Sequence, residues 1–232
     1  LPNQTDAVPV GVWDAVTALN TAAGDSAIDY IYLKTDGVTG GMAQIEEFRK
    51  ALVNFHESGK PILAYTESPS NGGYYLASAA DKIYMTSGNG AMNNMVGLSA
   101  RVLFLKDILD RLGVNVQLIR HGKYKSAGEM YIRNDISPEN RLQYETFINS
   151  IWGSWAEDIA ASRNITPERF NEMLDKLELN LPGDFLEAGM VDELLDKAGL
   201  EEKLAAYSAV TDYKDARFIS LEDYMLARAK ST

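Results

Sequence analysis

The feature that most constrains the fold is an alternation between short β-rich runs and segments with the apolar spacing of helices. Residues 28–34 (IDYIYLK) are rich in β-branched and aromatic side chains, and the segment 45–52 that follows has helical periodicity. Two further β-rich runs, 62–65 and 82–85, bracket a short helix that follows an Asn-Gly-Gly turn. Strands that alternate with helices predict an α/β fold with a mainly parallel sheet.

The second half of the chain has mainly helical patterns. A loop rich in Gly, Asn and Met (88–95) leads to a predicted amphipathic helix over 102–112 and a predicted strand over 114–119. Ser137-Pro138 and Thr166-Pro167 have the cap-then-proline pattern that opens helices, and further helices are predicted near 202–206 and 221–229. Because no linker interrupts these patterns, we expect a single domain over residues 1–232.

Composition excludes several classes of function. The formal net charge of -11 argues against a nucleic-acid partner, since phosphate binding needs a clustered basic face. The absence of cysteine excludes a thiol nucleophile, and the two histidines, His56 and His121, are too few for a His-rich metal centre. We therefore expect no metal and no cofactor.

Two observations concern the membrane and the start of the chain. No apolar run reaches the ~18 residues that a membrane span needs. The sequence begins at Leu1 rather than Met, which leads us to expect that an upstream segment has been removed.

The segment that carries chemistry is 121–129 (HGKYKSAGE), directly after the predicted strand, where parallel α/β sheets usually place their sites. A lysine is a general base only when neutral, which requires burial or neighbouring positive charge. Lys123 would favour the neutral form of Lys125, whereas Glu129 would favour its charged form, and the loop geometry decides between them. From spacing alone, solvated surface charges are the favoured interpretation of both lysines, because most lysine side chains are exposed.

Residues 122–129, followed by 132–138 (IRNDISP), resemble the lysine motif of the signal peptide peptidase A (protease IV) family. Three other segments resemble that family in the same order along the chain: 58–61 (SGKP), 72–83 (GGYYLASAADKI) and 187–192 (EAGMVD). The resemblance implies a crotonase-like, Clp-protease-like α/β fold of repeated ββα-type units with a helical carboxy-terminal part.

The resemblance also assigns roles to individual residues. It makes Lys125 the general base of a Ser/Lys dyad, with Lys123 and Ser126 as candidate supporting residues. Short family members carry their nucleophile in a Ser-Gly-Gly-Tyr motif, but here the aligned residue is Asn71, which cannot be acylated as a serine is. Residues 36–41 (DGVTGG) also lack the Pro-Gly-Gly turn of serine-bearing repeats, which fits a repeat that no longer builds the full oxyanion site.

Long family members are tandem duplications in which the amino-terminal repeat supplies the lysine and the carboxy-terminal repeat the serine. The combination of Lys125 with Asn71 resembles the amino-terminal repeat, with the serine-bearing repeat absent from this chain. The resemblance therefore implies a serine peptidase that degrades cleaved, hydrophobic signal peptides, of which this part is inactive alone.

The resemblance further implies a homo-oligomer in the bacterial cell envelope, anchored in the inner membrane by a segment outside this chain and facing the periplasm. Two alternatives remain open at this stage. One is a non-catalytic module that builds an oligomer, in which Lys125 is incidental. The other is a crotonase-superfamily enzyme acting on acyl-CoA, which shares the fold and gives Lys125 no special part.

Overall fold

The computed structural model describes residues 11–229. The chain divides into two compact units, each described here by itself. The sheet unit contains the residues up to 96 and from 158 onward, and the lysine unit contains residues 97–157. The expectation of a single domain over 1–232 stays a prediction, and residues 1–10 lie outside the part of the chain that the structure describes.

The sheet unit is built on a four-stranded parallel sheet with the strand order β1-β2-β3-β4. Its strands are β1 (Ile31–Lys34), β2 (Ile62–Thr66), β3 (Lys82–Thr86) and β4 (Glu193–Leu195). Three of them lie within or over the predicted β-rich runs, so the prediction of a parallel α/β sheet is confirmed. The first strand is shorter than predicted, since pairing with β2 begins at Ile31.

Helices occupy most of the remaining described chain. In chain order they are α1 (Val12–Gly24), α2 (Met42–His56), α3 (Asn71–Ala77), α4 (Lys106–Arg111), α5 (Glu129–Ile132), α6 (Pro138–Arg163), α7 (Pro167–Asp175), α8 (Pro182–Glu187), α9 (Lys197–Tyr207) and α10 (Leu221–Ala229). The two cap-then-proline predictions are confirmed, because α6 and α7 each begin at the proline. Thr166 caps α7 by accepting a hydrogen bond from the Arg169 amide. Among residues 11–229, no helix combines the length and apolar character needed to cross a membrane.

The core of the sheet unit lies on both faces of β2, whose five residues are all buried. Ile62 packs in a cluster with apolar residues of α1, α2 and α3, whereas Leu63 and Tyr65 belong to a second cluster with β3, β4 and α9. Successive strand residues point to opposite faces, so a strand covered on both sides reads as a continuous apolar run. This is why residues 62–65 were recognisable as a strand.

Three expectations about elements need correction. The helix predicted over 102–112 is confined to Lys106–Arg111, and the strand predicted over 114–119 is wrong. A strand requires a neighbour to pair with, and among the described residues none pairs with this segment; the Val114 amide instead donates to Leu109 O, and Ile119 is 97% exposed. Conversely, β4 was missed because three residues are too few for a period to show.

Candidate active site

The turn that opens α3 follows the carboxyl end of β2, where parallel sheets commonly place functional groups. Ser70 is the N-cap, and its Oγ accepts a hydrogen bond from the Gly73 amide at 3.1 Å. Asn71, which the family resemblance predicts to occupy the nucleophile position, is the first residue of the helix. Its Oδ1 accepts a hydrogen bond from the Val96 amide at 3.0 Å, so the carboxamide is engaged by its own chain.

Gly73 is required by a close backbone approach at the same turn. A Cβ at this position would lie 2.4 Å from the Thr35 carbonyl oxygen and 3.0 Å from Ser70 Oγ. Only glycine leaves room for the start of α3 to pack against the end of β1. The second glycine of the Asn-Gly-Gly sequence is therefore required for steric reasons.

Asp36 binds the neighbouring strand end through its carboxylate. Oδ1 accepts hydrogen bonds from Thr66 Oγ1 at 2.8 Å and from the Ser68 amide at 2.7 Å, and Oδ2 accepts from the Glu67 amide at 2.8 Å. The backbone donors just after β2 are thus satisfied by a side chain of this chain.

The loop after β3 runs alongside this turn. Asn94 forms a parallel bridge with Ser70 and donates its amide to Pro69 O at 2.8 Å, while Asn93 Nδ2 donates to Leu179 O at 2.6 Å. Between this loop and the end of α7 lies a cavity of about 330 Å³. Its apolar lining includes Met92, Val96, Met95, Met173, Leu174, Leu177 and Leu179. Methionine-rich walls of this kind adapt to apolar side chains of different shapes.

A more polar cavity of about 450 Å³ lies elsewhere in the sheet unit and contains His56. His56 Nδ1 lies 3.1 Å from Asp81 Oδ1, and the other carboxylate oxygen of Asp81 accepts from the Ile62 amide. Arg163 in the same cavity donates to Gly189 O and pairs with Asp192. These bonds tie α2, α6 and the sheet together and give His56 a structural role.

The lysine loop, residues 121–128, belongs to the lysine unit and forms a turn. Lys123 and Lys125 are both exposed, and Lys123 Nζ lies 5.4 Å from the centre of the Tyr124 ring. The Lys125 amide donates to Gly122 O at 3.4 Å. Ser126 is half-buried and donates its hydroxyl to Asn140 Oδ1 at 2.9 Å.

Glu129 is the buried charge beneath this loop, with a side chain only 1% exposed. Arg120 Nη1 lies 3.0 Å from Glu129 Oε1, and Oε2 accepts from the Ser137 amide at 3.3 Å and from Asn140 Nδ2 at 3.4 Å. Burial opposes ionisation of this carboxyl, but the hydrogen bonds from Ser137, Arg120 and Asn140 outweigh it and hold the pKa of Glu129 below its usual range. Glu129 therefore favours its charged form, which pairs with Arg120.

Sequence reasoning missed two members of this group, Arg120 and Asn140. Arg120 ends the apolar run that was taken for a strand, and Asn140 lies in the first turn of α6. Their spacing from Glu129, nine and eleven residues, matches no helical or strand period, so the sequence offers no signal that unites them. The fold of this unit brings them together around one carboxylate.

Residues 54–211 match the family model described as Peptidase family S49. This match covers more than half of the chain and includes Asn71, Lys123, Lys125 and Ser126.

The chain belongs to peptidase family S49.

Curated relatives agree with this membership. The chain is 33% identical to Protease 4 of Salmonella typhi over 231 residues, which cover 95% of this chain and 37% of that protein. It is 30% identical to Protease 4 of Haemophilus influenzae over 224 residues, covering 93% and 36%. It is also 32% identical over 139 residues to the chloroplastic serine protease SPPA of Arabidopsis thaliana, covering 60% and 20%.

The S49 chain thus spans little more than a third of the length of the two Protease 4 proteins that it matches. S49 membership and the parallel sheet together confirm the predicted fold class, an α/β fold of the crotonase-like and Clp-protease-like type. The resemblance to the signal peptide peptidase A (protease IV) family is likewise confirmed.

Proposed function

We propose that this chain is the lysine-bearing, amino-terminal part of a longer S49 serine peptidase. The observation that carries the proposal is the contrast between the two motif positions. Lys125 is exposed on its loop, while Asn71, at the nucleophile position, is hydrogen-bonded to the Val96 amide. One half of a Ser/Lys dyad is therefore present, and the serine comes from a second repeat.

In the complete enzyme, the neutral amine of Lys125 would take the proton of that serine as its oxygen attacks the peptide carbonyl. The lysine, now charged, would then give the proton to the departing amine, and a water molecule activated in the same way would release the acyl group. Lys123 and Ser126 support this base from the same loop. The isolated chain is expected to be inactive, because it lacks the nucleophile.

The proposed substrate is a hydrophobic, cleaved signal peptide bound in an extended conformation. Main-chain pairing would supply affinity, and pockets would select side chains. The cavity beside residues 91–96 supports this substrate class, because methionine and leucine side chains in its walls could contact an apolar side chain of the peptide. The names of the Protease 4 and SPPA relatives agree with proteolysis as the activity.

The proposed partners are a carboxy-terminal repeat of the same protein and further copies in a homo-oligomer. The lysine unit has many large apolar side chains exposed, among them Leu103, Leu112, Ile119 and Phe147, and such surface marks contact sites. We place the protein in the bacterial cell envelope, anchored in the inner membrane by a segment outside this chain and facing the periplasm. This location rests on the family resemblance.

A non-catalytic assembly module is the second candidate, because the exposed apolar side chains of the lysine unit suit oligomer contacts equally well. In that case Lys125 would be incidental. The acyl-CoA alternative has lost its support, since the match over residues 54–211 is to a peptidase family.

The test compares the full-length protein with its Lys125→Ala and Lys123→Ala variants in hydrolysis of a fluorogenic apolar peptide. Removal of a general base that acts with its nucleophile as a unit is expected to lower kcat about 10³-fold or more in the Lys125 variant. The Lys123 variant should lose far less activity, because Lys123 supports the base but does not take the proton, and circular dichroism should be the same for all three. Equal activity in all three proteins would rule out the dyad and favour the assembly module.

A further inference from the structure

The Arg120–Glu129 pair is joined to the main chain of the lysine loop. The same Arg120 Nη1 that contacts Glu129 Oε1 also donates to the Lys125 carbonyl oxygen at 3.2 Å. One guanidinium nitrogen therefore bridges the buried carboxylate and the peptide group that follows Lys125. A guanidinium is suited to this because it presents several donors in a fixed plane.

A second set of bonds holds the next residue. The Ser126 carbonyl oxygen accepts from the Glu129 amide at 2.9 Å, and the Ser126 hydroxyl donates to Asn140, which in turn donates to Glu129 Oε2. Lys125 and Ser126 are thus tied through different atoms to one carboxylate. Both connections converge on Glu129.

The loop also packs against the chain segment that precedes it. A Cβ on Gly128 would lie 2.4 Å from Leu118 Cδ1, so the backbone between Ser126 and Glu129 packs directly against the segment before the loop. Glu129 itself is buried, and a buried charge that loses its partner is costly. The position of the Lys125 main chain is therefore linked to the Arg120–Glu129 pair.

We propose that Arg120 and Glu129 are positioning residues for Lys125: they fix the main chain of the lysine so that its amine meets the serine at one place. This inference rests on the proposed function of Lys125 as the general base. Neither residue touches the reacting atoms. Their effect is on geometry, and a displacement of about 1 Å is enough to lower a rate about 100-fold.

The test uses the full-length protein and the isosteric variant Glu129→Gln, with hydrolysis of the same fluorogenic apolar peptide. The glutamine side chain has the same size as glutamate but carries no charge. Its NH2 group is a donor and would face the donor of either Arg120 or Asn140, so one hydrogen bond is lost. We expect kcat to fall about 10-fold to 100-fold, while KM changes by less than about 2-fold, because the change leaves the residues proposed to line the peptide's pocket in place.

Two controls separate positioning from general damage. Glu145→Gln removes the partner of Arg141 in an exposed ion pair of the same unit (3.8 Å), outside the lysine motif, and should leave kcat unchanged. Arg49→Met removes a buried guanidinium in the sheet unit, hydrogen-bonded to Ser162 Oγ at 2.8 Å, and should lower the melting temperature without lowering kcat per folded molecule.

A wild-type kcat in Glu129→Gln, with Lys125→Ala inactive, would overturn the positioning role and leave the proposed function intact. A kcat loss in Glu129→Gln that only matches its loss of folded protein, as in Arg49→Met, would also overturn it. Full activity in Lys125→Ala would instead remove the proposed function, and the inference would fall with it.

Discussion

The turn that opens α3 and the lysine loop differ in which part of the key residue is held. At the turn, the side chain of Asn71 is hydrogen-bonded within its own chain. In the lysine loop, the main chain of Lys125 is hydrogen-bonded and its side chain is exposed. Asn71 accepts from the Val96 amide, and nearby Asp36 accepts from donors after β2. Lys125 is exposed, while its carbonyl oxygen is bound by Arg120.

The difference agrees with the proposed roles, in which Lys125 takes part in the reaction and Asn71 does not. A reacting group needs a defined backbone and a side chain that can meet the substrate, and the lysine loop has both features. At Asn71, the corresponding side chain has become part of the structure that holds the 91–96 loop. Substitutions at the turn should therefore change stability, and substitutions in the lysine loop should change catalysis as well.

The largest stability effect is expected from Gly73→Ala in this chain. Its Cβ would lie 2.4 Å from the Thr35 carbonyl oxygen, so the start of α3 must move away from β1. Overpacking of this kind should lower the free energy of unfolding by about 3 kcal/mol.

Urea denaturation measures this change, with Gly153→Ala as the control. A Cβ on Gly153, within α6, meets nothing within 4 Å. Because alanine favours the helix more than glycine does, this variant should raise the free energy of unfolding by about 0.5–1 kcal/mol. Equal midpoints for the two variants would show that the turn tolerates a side chain.

The second effect concerns pH and the buried carboxylate of the lysine loop. Because the pKa of Glu129 is lower in the folded chain than in the unfolded one, its stabilising contribution is present above the ordinary glutamate value near pH 4.3 and is lost as the pH falls below it. Glu129→Gln should lower the free energy of unfolding by about 2 kcal/mol at pH 7, because hydrogen bonds to a charged group are lost.

The measurement is urea denaturation at pH 7, 5 and 3. The loss of stability on acidification should be smaller in Glu129→Gln than in the original chain. Glu145→Gln, at an exposed position 3.8 Å from Arg141, is the matched control and should keep the original pH dependence. The same pH dependence in all three proteins would contradict the assignment.

A smaller effect is expected from Asp36→Ala. The change leaves Thr66 Oγ1 and the Glu67 and Ser68 amides without their acceptor, although water can reach part of this strand end. We expect a loss of about 1–2 kcal/mol in the free energy of unfolding. Asp36→Asn, which keeps one acceptor oxygen, should lose less; an equal loss in both variants would point to the charge instead of the hydrogen bonds.

The smallest effect, and the sharpest test of the comparison, is Asn71→Ser. The serine side chain is too short to accept the hydrogen bond from the Val96 amide. Loss of this bond should lower the free energy of unfolding by about 0.5–1 kcal/mol. It restores the residue type of the family's nucleophile, yet we expect no hydrolysis of the apolar peptide by this chain. Hydrolysis that appears with Asn71→Ser would mean that the turn still builds a complete site.

The sequence by itself determined the α/β class with its parallel sheet and the two helix starts at Pro138 and Pro167. Residues 62–65 were recognisable because a strand covered on both faces must be continuously apolar, and Thr166-Pro167 because a cap and a fixed φ act locally. The roles of Lys125 and Asn71 came from the family resemblance, and they remain predictions until the dyad is tested.

Tertiary structure alone decided the contacts between residues far apart in sequence. The 114–119 run has the composition of a strand, but pairing depends on a neighbour that the described chain does not provide. Likewise, Arg120, Glu129 and Asn140 share no spacing that predicts a contact, and Asp36 finds its donors thirty residues away. Hydrogen bonds at such separations depend on how the elements pack, and local sequence preferences contain no information about that packing.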